Sequence, residues 1–189
     1  MVLKRKFSIL ITMLVCLFAL VELTSCGENN TDSSEPEDKY TETERNFVDA
    51  LDILFIDMLK DHSSLKITKI LGSWCDGKLI AFTCTSNNSF GGAVSSNYII
   101  ATKGFTFEKS MLPDWKSDDD HIGTTIPKGY CVEYALVTDG TSIPSGDVQW
   151  AIKIIADYGD EKNRDDVKNI TVANANELLT EYKISQGWA

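Results

Sequence analysis

The fold has to be built without the first 25 residues. Phe7 to Val21 is a 15-residue apolar run broken only by Ser8 and Thr12. Lys4, Arg5 and Lys6 precede it, Glu22 ends it, and Leu23-Thr24-Ser25-Cys26 follows. A positive start, a short apolar core and small residues before a cut describe a secretory signal peptide. The run is shorter than the roughly 20 apolar residues a spanning helix needs, and a carboxylate at its end makes spanning costlier. The pattern predicts removal of residues 1–25, which leaves 164 of the 189 residues to act outside the cytoplasm.

The four residues Leu23-Thr24-Ser25-Cys26 resemble the lipobox of bacterial lipoproteins at every position. The resemblance implies that Cys26 receives a diacylglyceryl group, becomes the first mature residue and carries acyl chains such as palmitate. The chain is then expected on the extracytoplasmic face of the cell membrane. Two acyl chains, each gaining about 0.8 kcal/mol per buried methylene, hold a protein firmly where one holds it marginally.

The leader takes three positive groups and one negative group from totals of 18 and 28, so the mature chain carries a net charge of −12. Such a surface repels phosphate backbones and anionic headgroups, which argues against nucleic acid as a partner. The segment Gly27–Glu42 (GENNTDSSEPEDKYTE) is acidic and polar with no apolar periodicity. It cannot bury enough surface to order itself. Residues 26–42 therefore read as a lipidated flexible tether, and 43–189 as a single globular domain.

The domain reads as α+β: an N-terminal helix packed on an antiparallel sheet of about four to five strands, followed by one or more C-terminal helices. Phe47, Val48, Leu51, Leu54, Phe55, Met58 and Leu59 recur at helical spacing and predict a helix over Thr43–Lys60, with Thr43 as its cap. Leu65–Cys75 and Lys78–Ser86 flank Asp76-Gly77 and predict a two-residue hairpin. Its register pairs Cys75 with Lys78, Leu71 with Phe82 and Lys69 with Cys84. Ile67, Leu71, Ile80, Phe82 and Cys84 would then share the core face. Ala93–Ala101 and Phe105–Glu108 read as a second strand pair, and Tyr130–Thr138 as a fifth strand. Ser145–Tyr158 reads as a helix with Gly159 at its C-terminal cap, although Val148, Trp150, Ile152 and Ile154 also alternate as in a strand. Asn174–Lys183 reads as a helix capped by Asn174. Trp188, beside the C-terminus, is expected to pack on something.

Chemistry is sparse. No catalytic, cofactor-binding or metal-binding set is expected. Cys75, Cys84 and Cys131 are an odd number, so at least one stays unpaired. The register places Cys75 and Cys84 roughly 20 Å apart, beyond the 7 Å limit of a bridge; Cys131 remains a partner for either. Cys84 reads as a small buried hydrophobe. His62 stands where the first helix should end and suits its dipole. Asp118-Asp119-Asp120-His121 lacks the ligand spacing of a calcium loop and reads as a solvated acidic turn, as does Asp157–Asp166. Ser63-Ser64-Leu65-Lys66 matches the Ser-x-x-Lys pattern of penicillin-recognising enzymes, but here it closes a helix instead of opening one. Asn87–Gly92 reads as a tight connection with a positive-φ glycine.

Leu59–Ile67 together with Asn88–Gly92 resembles small secreted Gram-positive domains without an assigned function, over about 50 residues. Their helix ends in a Lys-Asp/Asn-Pro-Ser-Ser turn; here His62 takes the proline's place. The resemblance implies a fold and no activity. These features together favour a membrane-anchored, non-enzymatic domain that binds a protein, peptide or envelope component. An envelope hydrolase and an accessory substrate-capture lipoprotein are the alternatives.

Overall fold

The structure is a computed structural model that describes residues 38–53, 56, 59–116, 118–138, 146–159 and 169–188. The expected leader, Cys26 and the tether as far as residue 37 lie outside the described residues. So do Leu54, Phe55, Asp57 and Met58, which the sequence assigns to the first helix, residues 160–166 of the second acidic stretch, and Ala189. Among the described residues no helix is long and apolar enough to cross a membrane.

The class is α+β, as the sequence predicts. In chain order the elements are α1 (Glu42–Ile53), β1 (Lys66–Trp74), β2 (Leu79–Asn87), β3 (Ala93–Ala101), β4 (Phe105–Thr106), β5 (Thr125–Ile126), β6 (Cys131–Glu133), α2 (Tyr134–Thr138), α3 (Asp147–Tyr158) and α4 (Val172–Ser185). Four strands form an antiparallel sheet in the order β1-β2-β3-β6, and β4 pairs with β5 separately.

The first helix starts from Thr41, not Thr43. The Thr41 hydroxyl accepts the Glu44 N–H at 3.1 Å, and the Glu44 carboxylate accepts the Thr41 N–H at 3.0 Å. This reciprocal pair is a capping box, written in the sequence as Thr41-Glu42-Thr43-Glu44. Asp38–Glu42, the last five residues of the expected tether, lie in the fold. Tyr40 is 8% exposed, its hydroxyl donates to Glu181 at 3.0 Å, and Asp38 pairs with Arg45.

The hairpin keeps the expected register only beside its turn. Trp74 faces Leu79 and Gly72 faces Ala81, but the register shifts between Ile70 and Gly72 and again between Ile67 and Lys69. Each bulge inserts one residue and turns the following side chains to the opposite face. Ile67 and Ile70 consequently join Ile80, Phe82 and Cys84, whereas Leu71, expected there, packs on the other side. The connection is a four-residue turn, Cys75–Lys78, in which Cys75, Asp76 and Gly77 all have positive φ.

Both faces of the sheet are buried at the end formed by Leu79–Phe82 and Ile99–Ala101, while Ala93–Ser95 of β3 is exposed. Ile67, Ile80, Phe82, Cys84 and Ile100 meet α1 and α4, with Phe47 edge-on to Phe82 at 5.1 Å. Trp74, Leu79, Ala81, Ile99 and Ala101 meet α3, β4, β5 and their loops. Alternate residues of one strand point to opposite faces, so β2 is buried at four successive positions, Leu79–Phe82.

Three further expectations are corrected. β4 does not return along β3, because β6 takes that edge: Ala101 donates to the Tyr130 carbonyl and accepts from the Gly129 N–H. Tyr130–Thr138 is a strand only over Cys131–Glu133 and then becomes α2. The last helix is capped by Thr171, whose hydroxyl accepts the Asn174 N–H at 3.1 Å, rather than by Asn174. Of the segment expected over 145–158, Asp147–Tyr158 is helical, as α3. Its Gly159 is needed for close packing, since a Cβ there would strike the Ile155 carbonyl and the Trp74 ring; its φ of −50° is ordinary.

Candidate functional site

The loop between β4 and β5 builds the most chemically varied surface. Phe107 and Thr124 bracket it through backbone bonds, Phe107 N–H to Thr124 O at 2.8 Å and Gly123 N–H to Phe107 O at 2.8 Å. Gly123 has a φ of +97°, which favours glycine. Within this frame Asp119 turns inward. Its carboxylate accepts the His121 backbone N–H at 3.0 Å and meets the ring Nδ1 at 2.8 Å, with the Lys116 ammonium 3.5 Å away. Burial works against its charge, yet the His121 backbone and ring and Lys116 outweigh it and hold the carboxyl below its ordinary value.

Asp118 and Asp120 point outward and are exposed, with no ion-pair partner among the described residues. Four rings surround the loop. The His121 ring stacks on Trp150 of α3 at 5.7 Å, and Trp115 meets Tyr158 edge-on at 5.6 Å. The Lys116 ammonium sits 5.0 Å from the Tyr158 ring centroid. Trp115 itself is 73% exposed. A depression of about 340 Å³ runs over Trp115, Lys116 and Asp118–Asp120. The acidic turn is therefore one rim of an aromatic surface. Trp115 carried no expectation; a tryptophan inside the polar run Pro113–Asp120 is the signal that points to it.

Among the described residues no group of three or more His, Cys, Asp or Glu side chains converges as metal ligands. The His121 ring has Asp119 as its only hydrogen-bond partner among the described residues. Cys84 and Cys131 are free thiols. Burial raises Cys84 to about 11 and, together with the nearby Cys84, Cys131 to about 12. Both are inert near neutral pH, since the thiolate is the nucleophile.

His62 and the two serines after it belong to a structural tie. Asp61 accepts from the Ser63 hydroxyl at 2.7 Å and the Asn87 side-chain amide at 2.9 Å, which keeps its carboxyl below the ordinary value. Lys183 of α4 donates to the carbonyl of Ser63 at 2.8 Å. The His62 ring lies 4.5 Å from Trp188, so Trp188 has its packing partner and His62 is placed by that ring in a 3₁₀ turn. Ser64 closes this turn and Lys66 opens β1, so the Ser-x-x-Lys pattern spans a turn and a strand. A second concavity of about 350 Å³ lies between α1 and α4, lined by Arg45, Val48, Asp49, Leu178, Glu181 and Tyr182.

Comparison with family models, with curated proteins and with solved structures finds no match for this chain.

Proposed function

We propose that this protein is a lipid-anchored, extracytoplasmic binding domain whose contact surface is the aromatic loop around Trp115. The exposed Trp115 indole, fixed edge-on against Tyr158, carries this reading. Large apolar rings left in water mark contact sites more often than scattered aliphatics do. The surroundings indicate the ligand's charge. Asp118 and Asp120 flank the indole, and the Tyr158 ring already faces an ammonium, that of Lys116. Aromatic faces and carboxylates both attract cations. The net charge of −12 left after the leader is removed draws cationic partners from solution. The ligand class is therefore a basic peptide or a basic segment of an envelope protein. Titration with hexalysine, read by tryptophan fluorescence, tests this. Trp115→Ala is expected to weaken binding about 2- to 30-fold, the equivalent of about 0.5 to 2 kcal/mol of cation–π attraction. Equal affinity in the variant contradicts it.

The anchor is supported by the lipobox-like Leu23–Cys26 directly after the apolar core. Expression in a Gram-positive host, beside Cys26→Ala, tests it by mass spectrometry. The expected mature chain begins at a Cys26 heavier by a diacylglyceryl group, with the variant unprocessed or shed. An unmodified chain released into the medium contradicts the anchor.

A further inference from the structure

The charged residues of this chain are absent from one stretch. Leu79 to Thr102, which covers β2, its connection and β3, contains no Asp, Glu, Lys or Arg in a chain that is 24% charged. The outer half of this hairpin is also the exposed half. Ala93, Val94, Ser95 and Asn97 are exposed, and so is Phe90 at the tip, 96% exposed on a connection held by the Asn88 side chain.

Among the described residues, that half has an edge without a strand partner. β2 pairs with β3 along all nine residues, from Asn87 opposite Ala93 to Leu79 opposite Ala101, without a register shift. On the other side β6 covers only Tyr98, Ile99 and Ile100, because the chain leaves the sheet into α2 at Tyr134. Among the described residues nothing pairs with Ala93–Asn97 on that side. The direction of the free groups follows from the far end of β3. Ala101 N–H and C=O both point to the β6 side, where they bond Tyr130 and Gly129. In a regular antiparallel strand the direction alternates residue by residue. Ala93, Ser95 and Asn97 therefore present their N–H and C=O groups outward. Edge strands are ordinarily guarded by lysine, proline or a bulge; Ala93–Asn97 has none of these.

We propose that this edge pairs with the same edge of a second copy, antiparallel and centred on Ser95. Three outward-facing residues at even spacing are self-complementary about a two-fold axis: Ser95 opposes Ser95, and Ala93 opposes Asn97 in both directions. The side chains are small and polar enough for close approach. Charge selects the occupant. Two chains of strongly negative net charge repel, and this uncharged stretch is where they approach at least electrostatic cost. A five-residue ladder is shorter than a stable interface of about 1,200 Å² requires, so the pair forms weakly in dilute solution and builds up where copies are concentrated.

Ser95→Cys tests the register. Directly opposed, hydrogen-bonded residues have Cα atoms about 5.5 Å apart, which a disulfide accommodates. The full chain carrying Ser95→Cys, purified in mild detergent at high concentration and lightly oxidised, is expected to give a covalent dimer well above the wild-type level. Thr180→Cys, on the exposed side of α4, is expected to stay at that level. Adding Val94→Lys to Ser95→Cys, a change at a 43% exposed position, is expected to cut trapping several-fold by placing like charges across the axis. Trapping of Ser95→Cys no greater than of Thr180→Cys overturns the proposal. Trapping that Val94→Lys leaves unchanged overturns it too, since it then reports random collision.

Discussion

The two faces of the sheet are covered in different ways. One carries α1 and α4, two long helices bound to each other and to the sheet by buried polar ties. Glu44, 1% exposed, accepts from Thr41, from the Thr171 N–H at 2.9 Å and from the Asn174 amide at 3.1 Å, so a single carboxylate caps both helices. Asn176 accepts from the Ile67 N–H at 3.0 Å and donates to its carbonyl at 2.8 Å. The other face carries one long helix, a two-residue strand pair and 3₁₀ turns. It is as well buried, with Phe107 and Ile126 fully enclosed, yet its outer surface is loop. A regular covering makes a scaffold, whereas loops on a rigid support can present side chains such as Trp115 to a partner.

Substitutions sharpen this contrast, from large effects to small. Phe82→Ala removes the ring at the centre of the helical face and is expected to cost about 3 to 5 kcal/mol in urea unfolding. Glu44→Gln exchanges an acceptor for a donor among three donors and is expected to cost about 1 to 3 kcal/mol, with Glu44→Ala at least as damaging. Gly159→Ala forces the end of α3 off Trp74 and should cost about 1 to 3 kcal/mol, with a change in near-ultraviolet dichroism. Trp115→Ala should leave stability within about 0.5 kcal/mol. If Glu44→Gln proves as mild as Trp115→Ala, the helical face is not the scaffold described.

Titration sets a further test. Cys84 and Cys131 keep their protons to about 11 and about 12, against an ordinary 9.0. A native value above the unfolded one means stability that is complete below about pH 9 and falls as pH rises through the native values. The melting temperature should decline above pH 9 more steeply than in a Cys84→Ala/Cys131→Ala variant. In acid the sign reverses. Asp61 and Asp119 are held below 3.8, so their contribution is present above that pH and lost as pH falls through their native values.

Legibility in the sequence follows the same division. The helical face could be read, because α1 repeats apolar residues at three and four positions and Leu178 and Leu179 mark α4. Strand β3 has the bounds its composition predicts, Ala93–Ala101. The bulges at Thr68 and Leu71 could not be read, since an alternating pattern carries no mark of an extra residue until packing selects the side. The capping box at Thr41 was present in the spacing but hidden in an acidic run. On the other face the acidic loop was visible as Asp118–Asp120. Its aromatic wall was not, because Trp115, Trp150 and Tyr158 come from segments that only the fold brings together.

The assignment of binding to the loop face rests most directly on two charge-matched variants. Asp118→Asn removes one carboxylate beside Trp115, and Asp49→Asn removes one from the concavity between α1 and α4. Both change the net charge equally, so bulk attraction for hexalysine falls equally. Fluorescence titration of the two is expected to show weaker binding for Asp118→Asn than for Asp49→Asn. Equal loss, or the greater loss in Asp49→Asn, would contradict the placement of the binding surface on the loops.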